Sequence, residues 1–110
     1  MSTPDFSQGI VGSTKTLDYL LSANHPSGKS KARFFQGFGF SRKDWQLLER
    51  ALIEHATQNL VTGVNPSRFG VKYTIDGPLA TPSGERPRIR AVWIVEGKDA
   101  APRLVTAHPL

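Results

Sequence analysis

Residues 41–60, SRKDWQLLERALIEHATQNL, contain the strongest helix signal in the chain, and the arrangement of the other elements follows from it. Ser41 offers a capping hydroxyl, Asp44 follows three residues later, and Phe40 with Trp45 fits a hydrophobic staple, so a helix is expected to begin at Ser41. Its apolar face is Trp45, Leu48, Leu52, Ala56 and Leu60. A glycine and a proline follow within six residues and prevent continuation. The sequence therefore predicts a long core helix from Ser41 to about Leu60.

After Pro66 the spacing of apolar residues changes to two, which is typical of strands. Apolar and polar residues alternate over 71–76, and a second alternating run spans 88–95, with a Gly/Pro/Ser-rich loop between them. A third run covers 103–107. These runs predict an α+β fold, in which an antiparallel meander of three or four strands covers the long helix with its inner face.

Two short helices are expected before the long one. Leu17, Leu20 and Leu21 form one helical stripe over 14–21, and a second helix is expected over about 29–36, ending at the glycines of 37–40. Residues 1–12 contain a proline and two glycines, which predict a flexible arm with a short strand at 10–11. The expected organisation is this arm followed by a single α+β domain over 13–110.

Composition excludes several classes of protein. With 110 residues the chain is long enough for one domain of ordinary size, and it has no cysteine, so disulfide frameworks and thiolate chemistry are excluded. The carboxylates stand singly and no two histidines have ligand spacing, so we expect no metal site and no cofactor. No apolar run approaches the ~20 residues of a membrane helix, and the N-terminus lacks a signal pattern. We expect a cytoplasmic protein without a membrane partner.

The positive charge is concentrated in one part of the chain. Residues 15–43 contain six basic residues and one acidic residue, whereas the other residues contain eight of each sign. The whole net charge of +5 therefore lies in this quarter, as expected for a face that binds phosphate or another polyanion. A solvated basic face without a ligand is an equally weighted alternative.

Residues 23–30, ANHPSGKS, differ from a phosphate-binding P-loop only at Ala23. A P-loop joins a buried strand to a helix, but here the preceding segment is helical and the alternating βαβ pattern is missing. Nucleotide hydrolysis is therefore rejected. What remains is a helix N-terminus over 28–31 that could hold a phosphate group.

His25 and His108 are the candidates for proton transfer. Two histidines with a lysine or arginine form the minimum set for RNA cleavage by the 2′-hydroxyl, because one group accepts a proton, another donates one and a cation stabilises the phosphorane. Thr106 would add a hydroxyl donor. The structural alternative is that His25 caps a turn and His108 lies in a frayed tail. His55, on the long helix, is interpreted as a satisfied histidine at the core edge.

Arg86, Arg88 and Arg90 lie on one side of one strand. They face water if that side of the sheet is uncovered, or follow a phosphate backbone if it faces a cleft, and both alternatives stay open. The candidate nucleic-acid-binding residues are Lys29, Lys31, Arg33, Arg42, Lys43, Arg88 and Arg90.

Several segments carry a family resemblance: KTLDYLL at 15–21, HPSGKSKARFF at 25–35, Gly39-Phe40 with Trp45, VWI at 92–94 and PRLVTAHP at 102–109. Over about residues 10–109 the chain resembles a family of small bacterial proteins of unknown function. Members occur alone and as terminal modules of larger proteins, which implies toxin-like domains.

More loosely, helices followed by an antiparallel sheet are similar to the barnase, colicin and RelE group of ribonuclease toxins. In that group, His, Lys or Arg and a late-strand Thr serve catalysis. We therefore expect a toxin-like, metal-independent endoribonuclease. His25 would be acid or base, Lys31 and Arg33 would contact the scissile phosphate, Thr106 would orient it, and His108 would assist. The alternative is a non-catalytic module whose basic face binds an acidic protein partner encoded alongside it.

Overall fold

The computed structural model describes residues 4–21 and 26–110, in which three α-helices precede a four-stranded antiparallel sheet. The elements are α1 (Ser13–Leu21), α2 (Pro26–Gly37), α3 (Trp45–Gln58), β1 (Val61–Ser67), β2 (Gly70–Pro78), β3 (Arg88–Val95) and β4 (Arg103–Pro109). The strands pair in chain order, so β1 and β4 are the edges. The predicted α+β class, with helices before an antiparallel meander, is confirmed.

Helix α3 begins four residues later than the capping pattern predicts. The Ser41 hydroxyl does accept the Asp44 backbone N–H, at 3.3 Å, but this bond closes a turn outside the helix. Asp44 is the N-cap, and Leu47 N–H donates to its carbonyl at 3.0 Å. Of the two residues of the predicted staple, Phe40 is buried in the core and Trp45 is partly buried against it.

Beyond α3 the helical prediction was wrong for Leu60, which is 85% exposed just before β1. Helix α3 ends at Gln58, and the Asn59 side-chain amide donates to the His55 carbonyl at 2.8 Å. Pro66 lies within β1, where its missing N–H is tolerated because β1 is an edge strand. Residues 61–67 therefore form a strand through pairing with β2, although their glycine and proline content predicts a break.

Packing between α3 and the inner face of the sheet forms the core. Leu48 and Leu52 of α3 are fully buried, as are Ile75, Ile89 and Trp93 of the sheet. These residues belong to one hydrophobic cluster. The inner face of the meander thus covers the long helix, as the sequence predicted.

The segment expected to form a flexible arm contributes to this core within its described part, residues 4–12. Phe6 lies in a 3₁₀ turn, and its ring contacts the rings of Tyr73 and Trp93, each with a centroid distance of 6.0 Å. Val11 is buried as well. Ile10 forms an isolated parallel bridge with Arg103 next to β4.

Helices α1 and α2 pack on each other through the rings of Tyr19 and Phe35, whose centroids are 5.8 Å apart. Pro26 is the first residue of α2, where its fixed φ suits a helix start. The chain leaves α2 through Gly39, whose φ of +100° favours glycine. No helix in the described ranges combines the length and apolarity needed to cross a membrane.

The sheet side that faces away from the core is here called the outer face. Ile89, Ala91 and Trp93 are buried on the inner side of β3, so Arg90 and Val92 point outward. Thr106 pairs with Val92 and His108 pairs with Arg90. Because directly paired residues share a face, Thr106 and His108 lie on the outer face too.

His55 is a core residue, 2% exposed, whose Nε2 lies 3.1 Å from the Gly77 carbonyl oxygen. Its Nδ1 is buried without a hydrogen-bond partner in the described part of the chain. Burial lowers the pKa of His55, and this outweighs the backbone contacts with Gly77 and Ile89 and the Asp76 charge, which raise it. The neutral imidazole is therefore the form that fits the fold.

The lowered pKa gives a pH-dependent stability. As the pH falls below the ordinary value of 6.5, the unfolded chain binds a proton at His55 before the folded chain does, so the free energy of unfolding should fall. His55→Gln keeps a donor for Gly77 but does not titrate, and should flatten this loss. Urea unfolding of both proteins, from pH 7.5 down through the pH range in which histidine titrates, measures the free energy of unfolding. Parallel pH profiles of the two proteins would show that His55 does not cause the loss of stability.

Candidate functional site

Side chains from α1 and α2 reach the open edge of β4. The Lys15 ammonium donates to the Val105 carbonyl at 2.7 Å, and the Lys31 ammonium donates to Thr106 Oγ1 at 2.9 Å. Tyr19, four residues after Lys15 and so on the same face of α1, lies against Lys31. We call Lys15, Tyr19, Lys31 and Thr106 the edge cluster.

Within the edge cluster, the Lys31 ammonium is held from two sides. Thr106 Oγ1 accepts one of its protons, and the Tyr19 ring centroid lies 5.2 Å from Nζ. Burial lowers the pKa of Lys31, and the charge of Lys15 lowers it further. Two partly buried cations thus repel each other, and a bound anion would relieve that repulsion.

Tyr19 is 7% exposed, and its hydroxyl is buried without a well-formed hydrogen bond in the described part of the chain. Burial raises the pKa of Tyr19, whereas the Thr106 side chain and the Ala107 backbone oppose that rise. The hydroxyl is therefore neutral at pH 7 and lies beside β4. A buried hydroxyl without a partner is uncommon and calls for an explanation.

The outer face continues the positive surface beyond the edge cluster. Thr106 and His108 are two residues apart on one face of β4, and Arg90 stands opposite His108 on β3. Arg90 donates two hydrogen bonds to Asp76, at 2.8 and 2.9 Å, and its side chain is 43% exposed. Arg88 is exposed on the same face. Arg88 and Arg90 thus lie on the side of the sheet away from the core, whereas Arg86 is exposed before β3 begins.

The other residues predicted for the site are Arg33, Arg42, Lys43, Lys29 and His25. Arg33 is exposed, and two residues along α2 correspond to about 200° of rotation, so it projects away from Lys31. Arg42 and Lys43 are exposed before α3. Lys29 lies in α2, and its side chain is outside what the structure describes, as is the whole of His25.

Two members of the edge cluster, Lys15 and Tyr19, were not predicted as site residues. A signal was available, because their spacing of four places them on one helical face. The sequence did not indicate that β4 lies beside this face of α1. Lys15 and Val105 are 90 residues apart in the chain.

A groove of about 460 Å³ runs between α1 and β4 beside the edge cluster, and Lys15, Asp18, Arg103 and Val105 are among its lining residues. In the described ranges no three His, Asp or Glu side chains are grouped to hold a metal ion. The site therefore offers ammonium groups, hydroxyl groups and the His108 imidazole, and the groove adds the Arg103 guanidinium and the Asp18 carboxylate. Cations outnumber the carboxylate, which suits an anionic ligand.

Comparison with known proteins gives a family and a fold. The model of a family described as a domain of unknown function, DUF6883, matches residues 2–110. No protein of curated function matches the chain. Among solved structures, the chain is similar to one in a contact-dependent growth inhibition toxin and immunity protein complex from Klebsiella pneumoniae 342. The two share 19% identity and a TM-score of 0.73 over 92% of this chain and 99% of that chain, a likeness that concerns the fold.

Proposed function

We propose that this chain, which belongs to the DUF6883 family, is a toxin-like domain that cleaves RNA by 2′-hydroxyl attack, with the scissile phosphate bound at the edge cluster. The observation that carries the proposal is the Lys31 ammonium, partly buried near Lys15 and 2.9 Å from Thr106 Oγ1. Partly buried cations beside a hydroxyl group stabilise the negative charge that develops on the phosphoryl oxygens during the attack.

Each residue then has a definite role. The substrate 2′-oxygen attacks the adjacent phosphorus, the bond to the 5′-oxygen breaks, and a 2′,3′-cyclic phosphate is left. Lys31, assisted by Lys15, stabilises the added negative charge, and Thr106 donates a hydrogen bond that orients the phosphate. One histidine takes the proton of the 2′-hydroxyl and another supplies the proton of the 5′-oxygen, roles we assign to His25 and His108.

The outer face supports the binding of neighbouring phosphates. Arg88 and Arg90 lie on the same face as Thr106 and His108, and Arg88 extends the positive charge from the edge cluster to β3, whereas Arg90 is paired with Asp76. Contacts of this kind position a nucleic-acid backbone without reading its sequence. Lys29, Arg33, Arg42 and Lys43 add to the positive potential that would attract RNA.

The fold neighbour is consistent with a toxin-like or an immunity-like role for this chain. It was solved in a complex of a contact-dependent growth inhibition toxin and an immunity protein, and this chain shares its fold over 92% of its length. That likeness carries no information about RNA, so the nucleolytic step rests on the edge cluster.

The test is cleavage of a labelled RNA oligonucleotide in the presence of EDTA. We expect cleavage without a metal ion, a 2′,3′-cyclic phosphate product, and protection when the 2′-hydroxyl at the cleaved position is replaced by hydrogen, since the attack is intramolecular. Loss of activity in EDTA, or cleavage of the 2′-deoxy substrate, would contradict the mechanism.

A second candidate is a non-catalytic module that binds an acidic protein partner. It is favoured by the exposed cations Arg33, Arg42, Lys43 and Arg88, and by the complex in which the fold neighbour was solved. The two candidates differ in toxicity. A nuclease should arrest growth when expressed without an antidote, and a binding module should be expressed freely.

A further inference from the structure

The Tyr19 hydroxyl is the group in the edge cluster that the proposed reaction leaves unused. It is buried, it has no well-formed hydrogen bond among the described residues, and the polar groups acting on it are the Thr106 side chain and the Ala107 backbone. Meanwhile Thr106 Oγ1 accepts its hydrogen bond from Lys31. Thr106 Oγ1 therefore holds the hydrogen bond from Lys31, while the Tyr19 hydroxyl on which the Thr106 side chain acts has no well-formed hydrogen bond among the described residues.

We propose that Tyr19 is a positioning residue that takes over the hydrogen bond to Thr106 when the Lys31 ammonium turns to a phosphate. This inference rests on the proposed function of the edge cluster. In the free protein Lys31 donates to Thr106 Oγ1. With phosphate bound, Lys31 donates to the phosphate, Tyr19 donates to Thr106 Oγ1, and the Thr106 proton points to a phosphate oxygen.

The contribution of Tyr19 to phosphate affinity depends on how its hydroxyl differs between the free and the phosphate-bound protein. A buried hydroxyl without a partner is destabilising, and this cost is present in the free protein. If phosphate binding supplies the missing partner, the cost disappears in the bound state, and the difference adds to the affinity. The ring has a separate role, because its face lies 5.2 Å from the Lys31 ammonium, a contact that phenylalanine would preserve.

Tyr19→Phe tests this role, because it removes the hydroxyl and keeps the ring. We expect inorganic phosphate, titrated into the full chain and followed by NMR, to bind about tenfold more weakly to the variant, as for loss of a hydrogen bond in a charged network. The melting temperature should stay unchanged or rise, since the unpartnered hydroxyl is gone. A lower melting temperature with unchanged phosphate affinity would show a purely structural tyrosine and overturn the proposal.

A double-mutant cycle with Thr106→Val connects the two hydroxyls. Once Thr106 has lost its oxygen, Tyr19→Phe should have little further effect on phosphate affinity, whereas additive effects would overturn the coupling. Lys31→Met tests phosphate binding at the edge cluster separately from the role of Tyr19. If phosphate affinity is lost in Lys31→Met but intact in Tyr19→Phe, the role of Tyr19 is refuted and the phosphate site stands. If phosphate affinity is the same in the parent and in Lys31→Met, the phosphate site itself is refuted.

Discussion

Replacing Lys31 by methionine should slow RNA cleavage by about 10²-fold or more, because the change removes the cation placed on the scissile phosphate. A loss of that size corresponds to about 2.7 kcal/mol of transition-state stabilisation. Methionine retains much of the apolar stem of Lys31, so the fold should survive. Initial cleavage rates and a thermal melt of parent and variant give both quantities.

Lys98→Met is the matched control, because Lys98 is exposed in the loop before β4 and its loss changes the net charge equally. It should retain nearly the full rate at moderate salt, where distant exposed charges are screened. Equal rate losses in the two variants would assign the effect of Lys31 to net charge and remove it from the site.

Leu52→Ala should lower the free energy of unfolding by roughly 2–5 kcal/mol, as truncations of buried leucines do. Leu52 has 0% exposure, and it belongs to the cluster that joins α3 to the inner face of the sheet. Truncation therefore leaves a cavity in the centre of the fold. Urea unfolding at 25 °C measures the loss.

Leu47→Ala makes the same chemical change on the same helix at a side chain that is 44% exposed. Its cost should stay below about 1 kcal/mol, because little of the side chain is removed from water in the parent. Equal destabilisation by both substitutions would contradict the observed rotation of α3.

The sequence predicted those helices and strands in which the spacing of apolar residues follows their burial in the structure. Strand β3 spans Arg88–Val95 as predicted, because Ile89, Ala91 and Trp93 alternate along it and are buried in the core. Strand β1 was missed as an element, because its Gly63 and Pro66 indicate a break and most of its residues are exposed. Its strand conformation comes from pairing with β2, which is a tertiary effect that local patterns do not carry.

Only part of the candidate site was predictable, because its residues come together through tertiary structure. Lys31 and Thr106 were selected by residue type and resemblance, and the structure places them in contact across 75 residues of sequence. The sequence predicts Arg33 beside Lys31 at the phosphate, but helix geometry turns it away. Lys15 and Tyr19 belong to the site because β4 runs beside α1, a tertiary arrangement that no local pattern indicates.

The most direct test of RNA binding at the edge cluster is to locate the bound RNA by amide chemical shifts, with an oligonucleotide that carries 2′-O-methyl groups and cannot be cleaved. We expect the largest shift changes at residues 105–108 of β4 and around Lys31, with strong attenuation in Lys31→Met. Raising the salt concentration should weaken the parent complex, since phosphate contacts release counterions. Shift changes confined to the β1–β2 hairpin, or equal in parent and Lys31→Met, would contradict binding at the edge cluster.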